Sequence, residues 1–283
     1  MEVIILNKGN IDRFEAMMGG ANAVNVLYDG ATFGLGLVHN NEIYGEIVVK
    51  LQDAEAVIKS LYIMPEHRRE GAATALLLEA SAYANMNENV DGFSVEFTEN
   101  LEEDNGLKAF FEFCGFDLEI QEDITSYSMT VGDLAGNPYW KNCDTEALKS
   151  YSQLTHEERH ELLKEDLHYM PLYVQNNLVE PDVSQFLIEN GRIQGLIVVV
   201  PEEDALSIAW MRISPGDYKQ LIPILYSAAK AAENKYEPTK RIILPIISKE
   251  ANQLVNKLFG DKLIRIENAY TGTMMFEEDE YEE

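Results

Sequence analysis

A repeat at a constant offset of 150 residues is the feature that most restricts the fold of this chain. Residues 38–50, VHNNEIYGEIVVK, align without gaps on residues 188–200, IENGRIQGLIVVV, and six of the 13 positions are identical. Each segment has two runs of strand-forming residues around an Asn- or Gly-containing turn, which predicts a β-hairpin. The same offset places Ile63 on Ile213. The sequence therefore predicts two copies of one domain.

The same order of elements follows each hairpin. An apolar strand leads into a helix, a further strand leads into a second helix that ends near a glycine, and one last strand completes the copy. The predicted strands cover residues 56–64, 93–98 and 124–131 in the first copy and residues 205–213, 241–247 and 268–276 in the second. Strands separated by helices predict an α/β fold class with a mixed sheet.

Two domains of ordinary size fit the chain's 283 residues. The segment GDLAGNPYW, at residues 132–140, contains two glycines and a proline and predicts a linker. We expect a first domain at residues 1–134, a linker at 135–144, a second domain at 145–276 and an acidic tail at 277–283. Like charges in the tail are typical of a solvated end.

The charge balance argues against nucleic acid as a partner, because phosphate binding needs a basic surface. The chain has 49 acidic and 22 basic residues, a net charge of −27, which favours solubility and would attract a cationic substrate. Two cysteines form no disulfide framework and fit a reducing compartment. We find no signal peptide and no apolar run of the roughly 20 residues that span a membrane. We therefore expect a cytoplasmic protein without membrane partners, and a homodimer is compatible with the sequence.

The loop after the first apolar strand predicts an anion site. Residues 65–79 read PEHRREGAATALLLE, so the helix begins with a glycine and two alanines. Gly71 allows close backbone approach, and small residues leave the first helical N–H groups uncovered. Arg68 and Arg69 add positive charge, and Thr74 adds a hydroxyl. The pattern indicates a cradle for a phosphate or pyrophosphate, and an ordinary turn with surface arginines is the alternative.

These residues resemble a motif of the GNAT N-acetyltransferases, Arg/Gln-x-x-Gly-x-Gly/Ala, with Arg68, Gly71 and Ala73 at its positions. The helix KAFFEFCGF resembles a second motif of that family and has Gly115 and Phe116 in place. The resemblance implies two tandem acyl-CoA N-acyltransferase (GNAT-like) domains. It also implies acetyl-CoA as co-substrate and transfer of the acetyl group to a primary amine, from a small molecule or a peptide.

The resemblance covers about residues 20–131 and implies where acetyl-CoA would bind. Its pyrophosphate would lie on backbone amides of the loop, and its pantetheine arm would pair with the preceding strand. The amide of Ile63 would polarise the thioester carbonyl. The implied acetyl-CoA residues are Leu61, Tyr62, Ile63, Arg68, Arg69, Glu70, Gly71, Ala72, Ala73 and Thr74.

Proton transfer is where the chain departs from the family. The tyrosine that protonates the CoA thiolate in the family corresponds to Phe111, although a thiolate of pKa about 8.5 can leave without a full donor. Tyr127 is a candidate substitute or a half-buried strand residue. Glu96 is the candidate catalytic base, with a solvent-facing carboxylate as the alternative. Phe111 also keeps open a second hypothesis, a non-catalytic acyl-CoA-binding or regulatory protein.

The second copy lacks the cradle. At the offset of 150, Gly71 becomes Leu221, Ala73 becomes Pro223 and Arg68 becomes Tyr218. Leucine covers the backbone and proline removes an N–H donor. We expect this copy to keep the fold and to lack the acetyl-CoA site.

The segment HEERH matches the His-Glu-x-x-His pattern of zinc peptidases. His156 and His160 would share a helical face, and Glu180 could be a third ligand. The charged residues inside and around the motif are instead typical of a solvent-facing helix. A zinc-dependent peptidase is therefore a remote alternative, and we expect no metal.

Overall fold

The structure is a computed structural model that describes residues 1–86, 90–103, 106–140, 143–164, 178–213 and 220–276. The predicted tail at 277–283 lies outside the described residues. The chain divides into two compact units. Unit 1 comprises Met1–Gln121 and Ala269–Glu283, and unit 2 comprises Glu122–Asn268.

Strands and helices alternate along the chain. The strands are β1 (Glu2–Ile5), β2 (Thr32–His39), β3 (Glu42–Gln52), β4 (Glu55–Ile63), β5 (Gly92–Asn100), β6 (Asp117–Thr130), β7 (Leu148–Ser150), β8 (Gln185–Glu189), β9 (Arg192–Pro201), β10 (Ala205–Ile213), β11 (Arg241–Ile246) and β12 (Ile264–Met275). The helices are α1 (Glu15–Met18), α2 (Gly20–Tyr28), α3 (Ala72–Asn85), α4 (Leu107–Phe113), α5 (Val131–Ala135), α6 (His156–Lys164), α7 (Leu221–Lys235) and α8 (Lys249–Phe259). Within the described ranges, no helix is long and apolar enough to cross a membrane.

Unit 1 is a mixed sheet covered by helices on both faces. Its strand order is β1-β2-β3-β4-β5-β12, with β1 to β4 antiparallel and β4 parallel to β5. Ile47 of β3 belongs to the core beneath α3 and α4, whereas Val48 belongs to the core beneath α1 and α2. Successive strand residues point to opposite faces, so the apolar run of β3 contributes side chains to both cores.

Unit 2 repeats this mixed sheet. Its strand order is β6-β11-β10-β9-β8-β7, with β10 parallel to β11 and the other neighbours antiparallel. Helices α7 and α8 bury Leu225, Ala229 and Leu258 against the sheet, which confirms the mixed α/β fold class.

The repeat extends to irregularities of the backbone. Asn40 and Asn190 have φ angles of 49° and 52° in the two hairpin turns. The β2–β3 register shifts by one residue after Leu37, and the β8–β9 register shifts after Leu187. Equivalent shifts also occur between β3 and β4 and between β9 and β10. Matching bulges in matching places confirm two copies of one fold.

The last strand of each copy belongs to the other unit. Residues 122–130 of β6 are part of unit 2, and residues 269–275 of β12 are part of unit 1. The sequence predicts both strands, but both are half-buried and strand-forming, so either could complete either sheet. The choice of partner is therefore not visible in the sequence.

The segment interpreted as a linker is folded in unit 2. Thr130 and Asp133 form a capping box at the start of α5. Val131, Leu134 and Trp140 are buried in the core, and Trp140 Nε1 donates a hydrogen bond of 2.6 Å to the Leu134 carbonyl. These apolar side chains between the glycines and the proline account for the order of the segment, because their burial favours a packed conformation.

Candidate active site

Strands β4 and β5 separate halfway along their length. Their parallel pairing runs from Glu55 opposite Gly92 to Ile58 opposite Val95. Residues 59–63 continue β4, and residues 60–63 pair with β3 on the other edge only. One edge of β4 is therefore available to an extended ligand, which could add to it as another strand would.

A bulge in β4 accounts for this separation. Val48 of β3 lies opposite Ser60 and Val49 lies opposite Ile58, so Lys59 is the extra residue. A bulge bends its strand and increases the local twist. The close approach of the bent strand also explains Gly45, where a Cβ atom would lie 2.3 Å from the Tyr62 carbonyl oxygen.

The loop from β4 to α3 presents an open helix N-terminus. Arg69 and Gly71 both have left-handed backbones, with φ of 65° and 82°. A Cβ atom on Gly71 would meet no described atom within 4 Å, and no described side chain caps α3. The N–H groups of the first helical turn lack intrahelical acceptors and carry the positive end of the helix dipole. The arrangement can hold an anion.

The arginines and alanines of the motif lie around this N-terminus. Arg68 and Arg69 are exposed, and Arg68 Nε donates a hydrogen bond of 3.1 Å to the Ile63 carbonyl. Ala72 is buried as the first residue of α3, and Thr74 is half-buried in its first turn. The structure therefore brings the loop residues together with the open end of β4.

His67 holds this loop and was missed by the sequence reasoning. Its ring stacks on Tyr44, with ring centroids 3.6 Å apart. Its Nε2 lies 3.4 Å from a Glu42 carboxylate oxygen, and its Nδ1 lies 3.8 Å from a Glu70 oxygen. No local pattern indicates these contacts, because Tyr44 and Glu42 come from the hairpin.

Glu96 lies in a polar cleft of unit 1. The cleft has a volume of about 540 Å³ and is formed by β4, β5, β12 and the β3–β4 turn. Its charged lining residues are Asp53, Glu55, Lys59 and Glu96, and Glu96 itself is exposed. Three carboxylates against one ammonium make the cleft suitable for a cation.

The two positions considered for protonation of the thiolate are Phe111, which has no hydroxyl, and Tyr127. Phe111 is 2% exposed in a cluster with Phe97, Phe110 and Phe116. Tyr127 belongs to unit 2, where its hydroxyl donates a hydrogen bond of 3.1 Å to Asn252.

Glu46 is a buried carboxylate in β3 that the sequence reasoning also missed. Burial raises its pKa to about 7, and the Ser60 hydroxyl partly opposes that rise by donating a hydrogen bond of 2.6 Å. In the sequence, the only sign of Glu46 is a charged residue within the strand-forming run of the hairpin.

The equivalent region of unit 2 differs at the helix start. Leu221 is buried as the first residue of α7, and Pro223 follows in the first turn. Proline supplies no N–H donor there. Tyr218 lies outside the described residues.

The HEERH segment forms part of α6, but its surroundings are those of a surface helix. Glu158 pairs with Lys149 at 2.7 Å. Glu180, considered as a third ligand, instead pairs with Lys235 at 2.6 Å and accepts a hydrogen bond from Tyr236. In the part of the chain that the structure describes, no cluster of three His, Cys, Asp or Glu residues could hold a metal.

Comparison with known proteins gives a partial family match and a shared fold. Residues 31–118 match the family model described as acetyltransferase (GNAT) domain. No curated protein matches the chain. The chain is similar in structure to a tandem GNAT protein from the clavulanic acid biosynthesis pathway, with a TM-score of 0.54 and 14% identity over 98% of this chain and 99% of that one.

Two further solved structures agree in fold. A probable N-acyltransferase from Enterococcus faecalis V583 has a TM-score of 0.50 and 11% identity, covering 97% of this chain and 72% of that one. A GCN5-related N-acetyltransferase from Kribbella flavida has a TM-score of 0.51 and 10% identity, covering 97% and 71%. Residues 31–118 thus match a GNAT domain model, and the whole chain shares the fold of a tandem GNAT protein.

Proposed function

We propose that unit 1 is an acetyl-CoA-dependent N-acetyltransferase that acts in the cytoplasm on a primary amine. The observation that carries this proposal is the separation of β4 from β5 beside the open N-terminus of α3. An extended strand edge suits a pantetheine arm, and a helix N-terminus suits a pyrophosphate. Acetyl-CoA would supply the activated acetyl group.

The loop and β4 would bind different parts of acetyl-CoA. The backbone from Arg69 to Thr74 would hold the pyrophosphate, with Arg68 and Arg69 adding positive charge. The open edge formed by Leu61, Tyr62 and Ile63 would hold the pantetheine arm. The Ile63 amide would stabilise negative charge on the thioester oxygen.

The cleft would receive the acceptor. Its carboxylates and the overall charge of −27 favour an amine that is cationic at neutral pH. Glu96 would attract the ammonium group and could take its proton through a water molecule. Exposure of Glu96 to solvent agrees with a role that requires contact with substrate.

The second candidate function is acyl-CoA binding without turnover. The buried phenyl ring of Phe111 favours it, because a tyrosine hydroxyl at that position is absent. Under this alternative unit 1 would bind acetyl-CoA but release no CoA with any amine.

Calorimetry and a CoA-release assay test these proposals together. Acetyl-CoA should bind with one equivalent per chain, and a panel of polyamines, aminoglycosides and lysine peptides should contain an acceptor that releases CoA. Binding without release would favour the non-catalytic alternative. Two bound equivalents would show that unit 2 also holds acetyl-CoA, and an absence of binding would refute the proposed function.

A further inference from the structure

Glu46 lies in the middle of the sheet of unit 1 and has no exposed surface, although it carries a carboxyl group. It is the cross-strand neighbour of Gly36 on β2 and of Tyr62 on β4. A Cβ atom on Gly36 would collide with the ring of Phe14, so that ring lies on the same face as the Glu46 side chain. The carboxyl group is therefore enclosed between the sheet and the segment that leads into α1.

Only one of the two carboxyl oxygens is satisfied. Ser60 Oγ donates to Oε1 at 2.6 Å, whereas Oε2 is buried without a hydrogen-bond partner among the described residues. Glu46 makes no ion pair with the described lysines, arginines or histidines. Of the titratable groups on the packed elements, Tyr62 lies opposite Glu46 on β4, Lys59 of the same strand lines the cleft, and Glu15 is exposed on α1. None of these three groups forms an ion pair with the carboxylate.

Unit 2 shows that the fold does not require this glutamate. At the offset of 150, Glu46 corresponds to Leu196 and Ser60 corresponds to Trp210. Leu196 is fully buried, and Trp210 packs against the same core. A buried carboxylate costs free energy unless it is paired, so leucine is the residue that packing alone would favour. The glutamate and serine occur in the unit that also has the glycine cradle.

Ser60 donates a hydrogen bond to the buried carboxylate and follows a residue that lines the open cleft. It is half-buried and lies directly after the bulge residue Lys59, which lines the cleft. It also lies in the segment of β4 that no longer pairs with β5. A hydroxyl can donate one proton and accept another, so Ser60 can pass a proton between the cleft side and Glu46.

We propose that Glu46 and Ser60 together accept the proton that the acceptor's ammonium group loses, a role that rests on the proposed acetyltransferase function. The ammonium proton moves to Ser60 Oγ as the Ser60 proton moves to Glu46 Oε1. The amine lone pair then forms the C–N bond, the C–S bond breaks to release the CoA thiolate, and the nitrogen loses its second proton to that thiolate or to water. Glu46 returns its proton by the same route, to the thiolate or to water. Exposed Glu96 attracts the cation, and buried Glu46 receives the proton.

The test compares Glu46→Gln with Glu96→Gln across neutral pH. Glutamine keeps the shape of Glu46 and can still accept the Ser60 hydrogen bond, but it cannot take up a proton. We expect kcat to fall by about 100-fold or more and the acidic limb of the kcat/KM profile to disappear. Acetyl-CoA affinity should be unchanged. Glu96→Gln should mainly raise KM, and Glu79→Gln, on the exposed side of α3, is the matched control.

The outcomes separate the inference from the proposed function. If the wild type turns over an amine and Glu46→Gln has the same kcat and pH profile, the inference is overturned and the proposed function stands. Acetyl-CoA binding without turnover of any amine by the wild type would overturn both. Ser60→Ala should lower kcat while keeping acetyl-CoA affinity, and wild-type kcat in that variant would refute the relay.

A carbon-13 titration of the glutamate carboxyl groups gives a readout that needs no acceptor. The resonance absent from Glu46→Gln identifies Glu46. We expect it to titrate near neutral pH in the full chain with acetyl-CoA added. Titration in the ordinary glutamate range would overturn the inference, because the carboxylate would then be a weak proton acceptor.

Discussion

Ser60 Oγ donates a hydrogen bond of 2.6 Å to Glu46 Oε1, and it is the only hydrogen bond to that carboxyl group among the described residues. The bond spans two neighbouring strands, β3 and β4, at the point where β4 bends away from β5. This contact joins a buried proton acceptor to the bulge that shapes the site.

The burial of Glu46 predicts a pH-dependent stability. Its pKa is raised from 4.5 to about 7, so the folded state binds more protons than the unfolded state between these values. Its contribution to stability is therefore fully present below pH 4.5 and is lost as the pH rises through about 7. Relative to Glu46→Gln, the wild type should lose roughly 3 kcal/mol over this window.

Urea denaturation at several pH values measures this difference. The other carboxylates of the acidic chain are common to both proteins and cancel in the comparison. Equal pH dependence in the wild type and in Glu46→Gln would show that the carboxyl group is not desolvated.

Replacement of Gly71 by leucine should remove acetyl-CoA binding while the protein remains folded. The left-handed backbone adds about 1–2 kcal/mol of strain, and the new side chain would cover the open helix N-terminus. Gly30→Leu is the matched control, since Gly30 has φ of 66° and open space around it. Calorimetry should show at least about a tenfold loss of affinity for Gly71→Leu only. Equal affinities would place the acetyl-CoA site elsewhere.

Phe111→Tyr should lower stability without increasing turnover. The ring is enclosed by Phe97, Phe110 and Phe116, so the new hydroxyl would be buried among aromatic groups at a cost of about 1–3 kcal/mol. Phe110→Tyr is a control at a half-buried position. Thermal denaturation and the CoA-release assay measure the two effects. A faster variant would show that the hydroxyl reaches the thiolate and that its protonation limits the rate.

Glu180→Gln should destabilise unit 2. The carboxylate is 6% exposed and binds Lys235 Nζ at 2.6 Å and the Tyr236 hydroxyl at 2.5 Å. Loss of the charge should cost about 2 kcal/mol, because hydrogen bonds to a charged group are stronger than neutral ones. Glu233→Gln removes an exposed pair with Lys230 on α7 and should cost under about 1 kcal/mol. Equal losses of stability in the two variants, measured by denaturation, would contradict this prediction.

Some features of the candidate site follow from local sequence and others do not. Gly71 and the arginines beside it indicate an anion site because backbone freedom and charge are local properties. The stacking of His67 on Tyr44 and the burial of Glu46 depend on contacts between distant segments. Glu96 illustrates the difference, because its strand was predicted while its exposure in a cleft depends on β12.

The sequence alone determined that the chain contains two copies of one mixed α/β fold. Periodic apolar residues, turn residues and a constant offset are local signals that persist through both copies. Only the tertiary structure decided that residues 122–130 join unit 2 and residues 269–275 join unit 1. Strand pairing depends on backbone hydrogen bonds that any strand can make, so the sequence of a strand does not determine which strand it pairs with. Burial likewise comes from the whole fold, which is why the unusual environment of Glu46 appears only there.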